Sequence, residues 1–277
     1  MRSASRAYWI HTITPLHVGT GRGIGFIDLP IMREKTTNWP IIPGSTVKGV
    51  WRSRSVQVLD QALVEAAFGK GSEAGEDHAG SLAITDARIV LLPVRSLFGT
   101  FAYVTSPTVL TRLKRDMEAI GVGALPEVPS CSEFEKIAVT SRSVLGEQEK
   151  VYLEDLDFVH ARGERERIQS SVDRWARFLS DVLYGYSEDE AMKESMRSRF
   201  AVVSDPAFDY FCEQGTEVNA RIRIDDSTKT VKGGQLWYEE YLPAETVLVG
   251  IVVCDRVYGT SSLDTEKLLD SVCGDGF

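Results

Sequence analysis

One imidazole, one carboxylate and two cations stand close together near the start of this chain, and such groups can exchange protons with a substrate or hold its phosphates. His17 sits at the mouth of a loop with a glycine at every second position from Gly19 to Gly25. Asp28 follows between Ile27 and Leu29, and a turn marked by Pro40, Pro43 and Gly44 delivers Ser45 to a helix start. Lys48 and Arg52 lie four apart on that helix and therefore share a face. Each feature also has a plain reading. A loop histidine can cap a backbone group, a carboxylate between apolar residues can point to solvent, and a basic helix face can simply be solvated. The chemical alternative for the helix is contact with backbone phosphates, helped by the partial positive charge of its N-terminus.

The loop Gly19-Thr-Gly-Arg-Gly-Ile-Gly25 is not a nucleotide fingerprint. A dinucleotide loop needs G-x-G-x-x-G between strand and helix, but positions 24 and 26 are Ile and Phe, and no GK[ST] follows. Its glycines are read as allowing unusual backbone angles and close approach of a neighbour or ligand.

Composition sets the frame. The 277 residues are 43% hydrophobic and 26% charged, with a mean hydropathy of -0.12, as in ordinary globular proteins. No apolar run reaches a membrane span and the N-terminus has no signal-peptide core, so a cytoplasmic protein with no membrane partner is expected. Cys131, Cys212, Cys254 and Cys273 are far apart and form no CxxC, which points to separate reduced thiols rather than a zinc site. The net charge of -9 argues against nonspecific nucleic-acid binding but leaves room for a local basic groove. Acid collects at 73–77, 147–157 and 188–194.

The elements that must position these residues read as α+β, in one domain over 1–277. Alternation predicts a strand over 7–14, ended by Pro15, and a strand-like stretch over 26–32. A helix is expected over 45–63, a loop over 69–80, strands over 81–93 and 97–105, and a helix over 107–120. Residues 121–135 read as loop, and 136–140 and 151–159 as short strands. Ile168, Val172, Trp175, Phe178, Leu179 and Leu183 make 165–184 a strongly amphipathic helix. Residues 200–203 precede Asp205-Pro206, read as an N-cap and first helical position. Residues 216–224 and 231–240 alternate around a turn and predict a hairpin; 244–254 is a buried strand and 263–272 a last helix.

Several words in the chain, in one order, resemble a known family. TPLHVGTG, FIDLPIMRE, IPGSTVKGVWR, SLFGTFAYVTSP and LWYEEYLP are similar to those of the Cas7-type (RAMP superfamily) backbone subunits of type III-B CRISPR effector complexes. The type III-A counterpart shares the HVG…D…IPGSSLKG pattern, whereas DLPI-x-RE, LFGTFAYVT and WYEEYLP favour type III-B. The resemblance implies a ferredoxin-like (RRM-like) palm with inserted finger and helical segments and a protruding β-hairpin thumb, placed by this reading at Arg221 to Leu236. It implies partners too: CRISPR RNA, a complementary single-stranded target RNA, further copies of the chain in a helical filament, and the other subunits of the complex. It also implies cleavage of the target at regular intervals, with a divalent metal (Mg or Mn), by attack of the ribose 2′-hydroxyl.

Carried over by position, Asp28 matches the family's catalytic aspartate and a possible metal ligand, and His17, Glu239 and Tyr241 match assisting residues. Ser45, Thr46, Lys48, Arg52, Gly19, Gly21 and Lys232 are the RNA-binding candidates. In-line cleavage needs a base for the 2′-hydroxyl, a donor for the leaving 5′-oxygen and charge stabilisation at phosphate. Asp28 would serve as base or metal ligand, His17 as donor, and Glu239 and Tyr241 would orient nucleotide or water. A second glycine-rich loop is expected near the family's C-terminus, where this sequence reads CGDGF. A non-cleaving scaffold that only binds the guide is the alternative from another functional class.

Overall fold

The structure is a computed structural model that describes residues 3–21, 23, 25–70, 78–147, 149–160, 165–185, 189–224, 227, 231–259 and 263–274, with backbone alone at 165, 166 and 231–234. Its strands are β1 (Ala4–His11), β2 (Ile41–Ile42), β3 (Leu82–Ile84), β4 (Ala87–Arg95), β5 (Phe101–Thr105), β6 (Lys136–Val139), β7 (Gly146–Glu147), β8 (Lys150–Leu153), β9 (Leu156–His160), β10 (Phe200–Val203), β11 (Glu217–Ile224), β12 (Val231–Tyr241) and β13 (Val247–Cys254). The helices are α1 (Gly44–Val58), α2 (Gln61–Phe68), α3 (Pro107–Ala119), α4 (Arg165–Tyr184), α5 (Glu190–Ser198), α6 (Asp205–Gln214) and α7 (Thr265–Cys273).

One large sheet runs in the order β1-β13-β4-β5-β10-β6-β9-β8-β7, with β2 beside β4 and β3 beside β13. Its pairs are antiparallel except β5 with β10 and β6 with β9. β10, the sequence FAVV, is buried along its whole length, so each face of it must meet a core. Phe200 and Val202 pack with Leu110, Leu113 and Met117 of α3 and Val172, Trp175 and Leu179 of α4. Ala201 and Val203 face the other way, against Phe208 and Phe211 of α6. Trp51, Phe68, Leu268 and Leu269 from α1, α2 and α7 close the β1–β13 end over Val252 and Cys254. The α+β class expected from the sequence is therefore the one adopted, and all four cysteines are free thiols.

β11 and β12 form a separate two-stranded hairpin. It matches the hairpin expected over 216–224 and 231–240 and is longer than the Arg221–Leu236 stretch read as the thumb, and 225, 226 and 228–230 of its turn lie outside the described residues. Register pairs Tyr238 with Ala220, Trp237 with Arg221 and Glu239 with Asn219. Directly opposed residues share a face, so Leu236, Tyr238 and Glu240 lie with Val218, Ala220 and Ile222. Trp237, Glu239 and Tyr241 lie on the other face with Glu217, Asn219 and Arg221.

Several local expectations change. The helix predicted over 45–63 breaks at Leu59, which is extended (φ -116°, ψ 158°), and resumes as α2 after Asp60. The strand predicted over 26–32 is absent, because Leu29 and Ile31 make single bridges only and Pro30 has no N–H for a ladder. The stretch 151–159 is a hairpin, β8 with β9. The cap of α6 is Ser204, whose hydroxyl accepts from the Ala207 N–H. Asp205 instead accepts from the Thr108 N–H at 3.0 Å and hydroxyl at 2.7 Å, tying α6 to the start of α3. The predicted loop at 69–80 falls mainly on 71–77, outside the described residues.

Candidate active site and RNA-binding face

β12 has one edge paired with β11, and its other edge meets the glycine loop. At that edge the Tyr238 carbonyl accepts from the Leu29 N–H at 3.0 Å and the Leu29 carbonyl accepts from the Glu240 N–H at 3.0 Å. Two side chains complete the contact. Asp28 Oδ2 accepts from the Tyr238 N–H at 2.8 Å, and His17 Nδ1 lies 2.7 Å from the Glu240 carbonyl. Asp28 and His17 therefore dock two residues apart on one strand, about 7 Å along it at ordinary strand rise. The sequence separates Asp28 from Tyr238 by 210 positions, and only the return of β12 brings them together.

The carbonyl fixes the histidine. A carbonyl only accepts, so Nδ1 carries the proton and Nε2 is the nitrogen available for chemistry. Gly19 is packed against that nitrogen: a Cβ built there would lie 2.6 Å from Nε2. Gly23 is held as tightly, with a Cβ position 2.7 Å from the Ile27 carbonyl, whereas Gly21 has open space but a φ of +95°. The alternate glycines thus serve approach at 19 and 23 and a left-handed bend at 21. Gly19→Ala leaves the backbone free to fold but forces the imidazole off the Glu240 carbonyl. Target cleavage is expected to fall by about tenfold, the lower side of what a positioned proton donor contributes, with an unchanged melting curve as the control.

On the face carrying Glu239, that carboxylate accepts from the Tyr241 hydroxyl, from Trp237 Nε1 at 2.7 Å and from Arg221 Nε at 3.2 Å. The Tyr241 and Trp237 hydrogen bonds, then Arg221, hold its pKa down to about 2. Glu239 is accordingly ionised at neutral pH and occupied by three donors, so it acts as an anchor for Tyr241 and Arg221 and not as a proton donor. Tyr241 donates to Glu239, accepts from Arg221 Nη2 at 2.8 Å, and lies 5.5 Å from the His17 ring. Arg221 stands 5.6 Å over the Tyr241 ring. It is an exposed cation, joined to the His17 ring only through Tyr241, that the sequence reading did not single out; the period-2 pairing of β11 with β12 is the signal that would have found it.

Glu240 points to the opposite face and is buried. It accepts from Arg33 Nη2 at 2.6 Å, the Ile31 N–H at 2.9 Å and the Thr216 hydroxyl at 2.9 Å. Arg33 also donates to the carbonyls of Asn38 and Cys212, each at 2.9 Å. These contacts clamp the segment that follows Asp28. Neither residue was singled out from sequence, where nothing separates Glu240 from Glu239 beside it.

The RNA-binding candidates gather on α1. Ser45 and Thr46 are exposed in its first turn, and Thr46, Val47, Val50 and Trp51 line a groove of about 1270 Å³ with Leu16 and Val18. Lys48 is not a free cation: its Nζ donates to the Leu82 carbonyl at 2.9 Å, and burial, then Arg52, lowers its pKa. Arg52 is exposed and reaches the Gly69 carbonyl only at 3.5 Å. Gly19 and Gly21 are exposed backbone. The side chain of Lys232 lies outside the described residues. Asp28 Oδ1 makes no hydrogen bond to a described residue, and no group of three or more His, Cys, Asp or Glu that could hold a metal exists among the described residues. The described residues therefore supply one ligand there, and a divalent ion would need RNA phosphate oxygens and water to complete its shell.

The RAMP superfamily description matches residues 9–271, and the chain belongs to that family. Among curated relatives, the CRISPR system Cmr endoribonuclease Cmr4 of Pyrococcus furiosus is 36% identical over 247 residues, covering 88% of this chain and 79% of that protein. The crystal structure of oligomeric Cmr4 from the same organism superposes with a TM-score of 0.72 at 27% identity, covering 99% and 89% of the two chains. A subunit in the cryo-EM structure of the type III-B Cmr-beta bound to cognate target RNA shares the fold, with a TM-score of 0.70 at 19% identity over 98% and 88%. The chain is a homologue of the endoribonuclease-named Cmr4 proteins, and among the described residues no helix is long and apolar enough to cross a membrane.

Proposed function

We propose that this chain is an endoribonuclease backbone subunit of a type III-B Cmr complex, one RAMP-type domain that stacks with copies of itself and with other Cmr subunits along a CRISPR RNA. In that assembly it cuts the complementary target RNA at regular intervals. The observation that carries the reading is the docking of Asp28 and His17 two residues apart on the edge of β12 away from β11. The match to Cmr4 across most of the chain supports the type III-B assignment over the type III-A one.

The residues act as follows. Asp28 Oδ1, free of protein partners among the described residues, takes the proton of the ribose 2′-hydroxyl. The 2′-oxygen attacks phosphorus and the bond to the 5′-oxygen breaks. Protonated His17 holds the Glu240 carbonyl through Nδ1–H and gives the Nε2 proton to the leaving oxygen, so the products are a cyclic phosphate and a 5′-hydroxyl. Arg221, braced by Glu239 and Tyr241, faces the charge that grows on the phosphoryl oxygens. A divalent ion, when bound, would supply further charge neutralisation, held by Asp28 together with phosphate oxygens and water. Ser45 and Thr46 at the start of α1, and Arg52 about two turns further on, hold guide phosphates. Lys48 joins them only after leaving the Leu82 carbonyl.

The test is cleavage of an end-labelled complementary RNA by the reconstituted complex. A ladder of evenly spaced cuts is expected, and a single 2′-deoxy nucleotide 5′ of one cut should erase that band alone. An intact target bound at full affinity by the complex would instead establish the non-cleaving scaffold.

A further inference from the structure

The hairpin has two chemically different faces, and the cleavage pair sits on the edge between them. On the face of Tyr238, the apolar side chains of Val218, Ile222 and Leu236 are 41%, 48% and 54% exposed. At its base Phe26 stacks on Tyr238, ring centroids 5.0 Å apart and planes 28° apart, yet Phe26 remains 78% exposed. The loop therefore holds a large aromatic ring in place with its outer face turned to solvent, where burial would normally favour it. The ring belongs to the site by connection: Tyr238 carries Phe26 on its ring and Asp28 on its N–H. His17, Tyr241 and Arg221 meet on the other face.

We propose that Phe26, backed by Tyr238, is a base-stacking platform for the target nucleotide on the 5′ side of the cut, so that the RNA crosses the edge of β12 that carries Asp28 and His17, with the nucleotides flanking the scissile phosphate on opposite faces of the hairpin. The proposal deepens the cleavage reading and rests on it. A nucleobase laid on Phe26 continues the existing stack, as single-stranded RNA bases do on aromatic side chains. Its ribose then stands at Asp28, which takes the 2′-proton. The leaving 5′-oxygen of the next nucleotide passes over the edge toward His17. A strand bent across an edge can reach the in-line geometry that a regular duplex forbids. Stacking is tolerant of base identity because every base has a π-face, which suits a site that must cut whatever sequence the guide selects.

The experiment places 2-aminopurine 5′ or 3′ of one cut in a target whose 2′-hydroxyl at that cut is removed, bound to complexes carrying wild type, Phe26→Ala or Phe26→Trp. In wild type and Phe26→Trp the 5′ probe should be quenched several-fold on binding, and in Phe26→Ala the fluorescence should return, while the 3′ probe reads alike in all three. With all-ribose target, Phe26→Ala should lower kcat by about tenfold with KM nearly unchanged, the size of one lost base–aromatic stack. Equal 5′-probe fluorescence in wild type and Phe26→Ala overturns the platform. Loss of cleavage through Asp28 is read separately: if Asp28→Asn cut normally while the quenching difference persisted, the platform would stand and the cleavage assignment would fall.

Discussion

Asp28→Asn should abolish target cleavage by the assembled complex while leaving target binding and folding as they are. The substitution is nearly isosteric, and the asparagine amide oxygen can still accept from the Tyr238 N–H that Asp28 now holds at 2.8 Å. The glycine loop keeps its seat on β12. What disappears is the free carboxylate oxygen that receives the 2′-proton, a contribution of about 10²- to 10⁴-fold for a positioned base. Single-turnover cleavage of labelled target and filter binding of the same RNA check the two halves. Cleavage within about twofold of wild type would remove Asp28 from the chemistry, because a general base cannot be lost so cheaply.

Arg33→Ala should be the most damaging change outside the reacting groups. Arg33 is 16% exposed and its partner Glu240 4% exposed in the side chain, with 2.6 Å between them. Removing one member of a buried pair strands the other, at a cost of about 3–5 kcal/mol. For a chain of this size that lowers the melting temperature by roughly 10 °C. The same change frees the segment after Asp28, because Glu240 also holds the Ile31 N–H. Cleavage should therefore drop more steeply than target binding, and a double-mutant cycle with Glu240→Gln should show coupling of at least about 1 kcal/mol. Independent, additive losses measured by thermal denaturation would show that the pair does not act as one clamp.

The two positions differ in how they could be read beforehand. Asp28 carries no local sign of its role. In FIDLPI it resembles a solvated strand residue, and only its place in a longer family pattern marks it. Its partner is 210 residues away, and single-sequence periodicity does not report such pairings. Helix α4 shows the opposite case. Its apolar stripe predicts 165–184 and the helix is Arg165–Tyr184, since burial of one face decides it locally. The hairpin was legible from alternation, root included, but the role of Arg221 was not, because it depends on which residues stand opposite one another. Lys48 shows a further limit. The i,i+4 spacing with Arg52 correctly puts both on one side of α1, yet spacing cannot tell that Lys48 bends back to the Leu82 carbonyl. Helix α5 escaped notice because its nine residues, EAMKESMRS, offer little apolar content to count.

The edge of β12 away from β11 would, if bare, be a template for adding a strand, and in the stacked assembly proposed for this chain such an edge would invite the wrong pairing. Leu29 fills one rung of that edge, Asp28 another and His17 a third. The groups assigned to cutting RNA are thus the same groups that keep this strand from recruiting a neighbour's backbone. Selection for solubility would preserve them in a lineage that no longer cleaved anything, so their presence in a homologue is weaker proof of activity than it looks. It also separates two substitutions often treated as equivalent. Asp28→Asn silences the chemistry and leaves the edge guarded, whereas Asp28→Ala uncovers the Tyr238 N–H and opens the strand to aggregation.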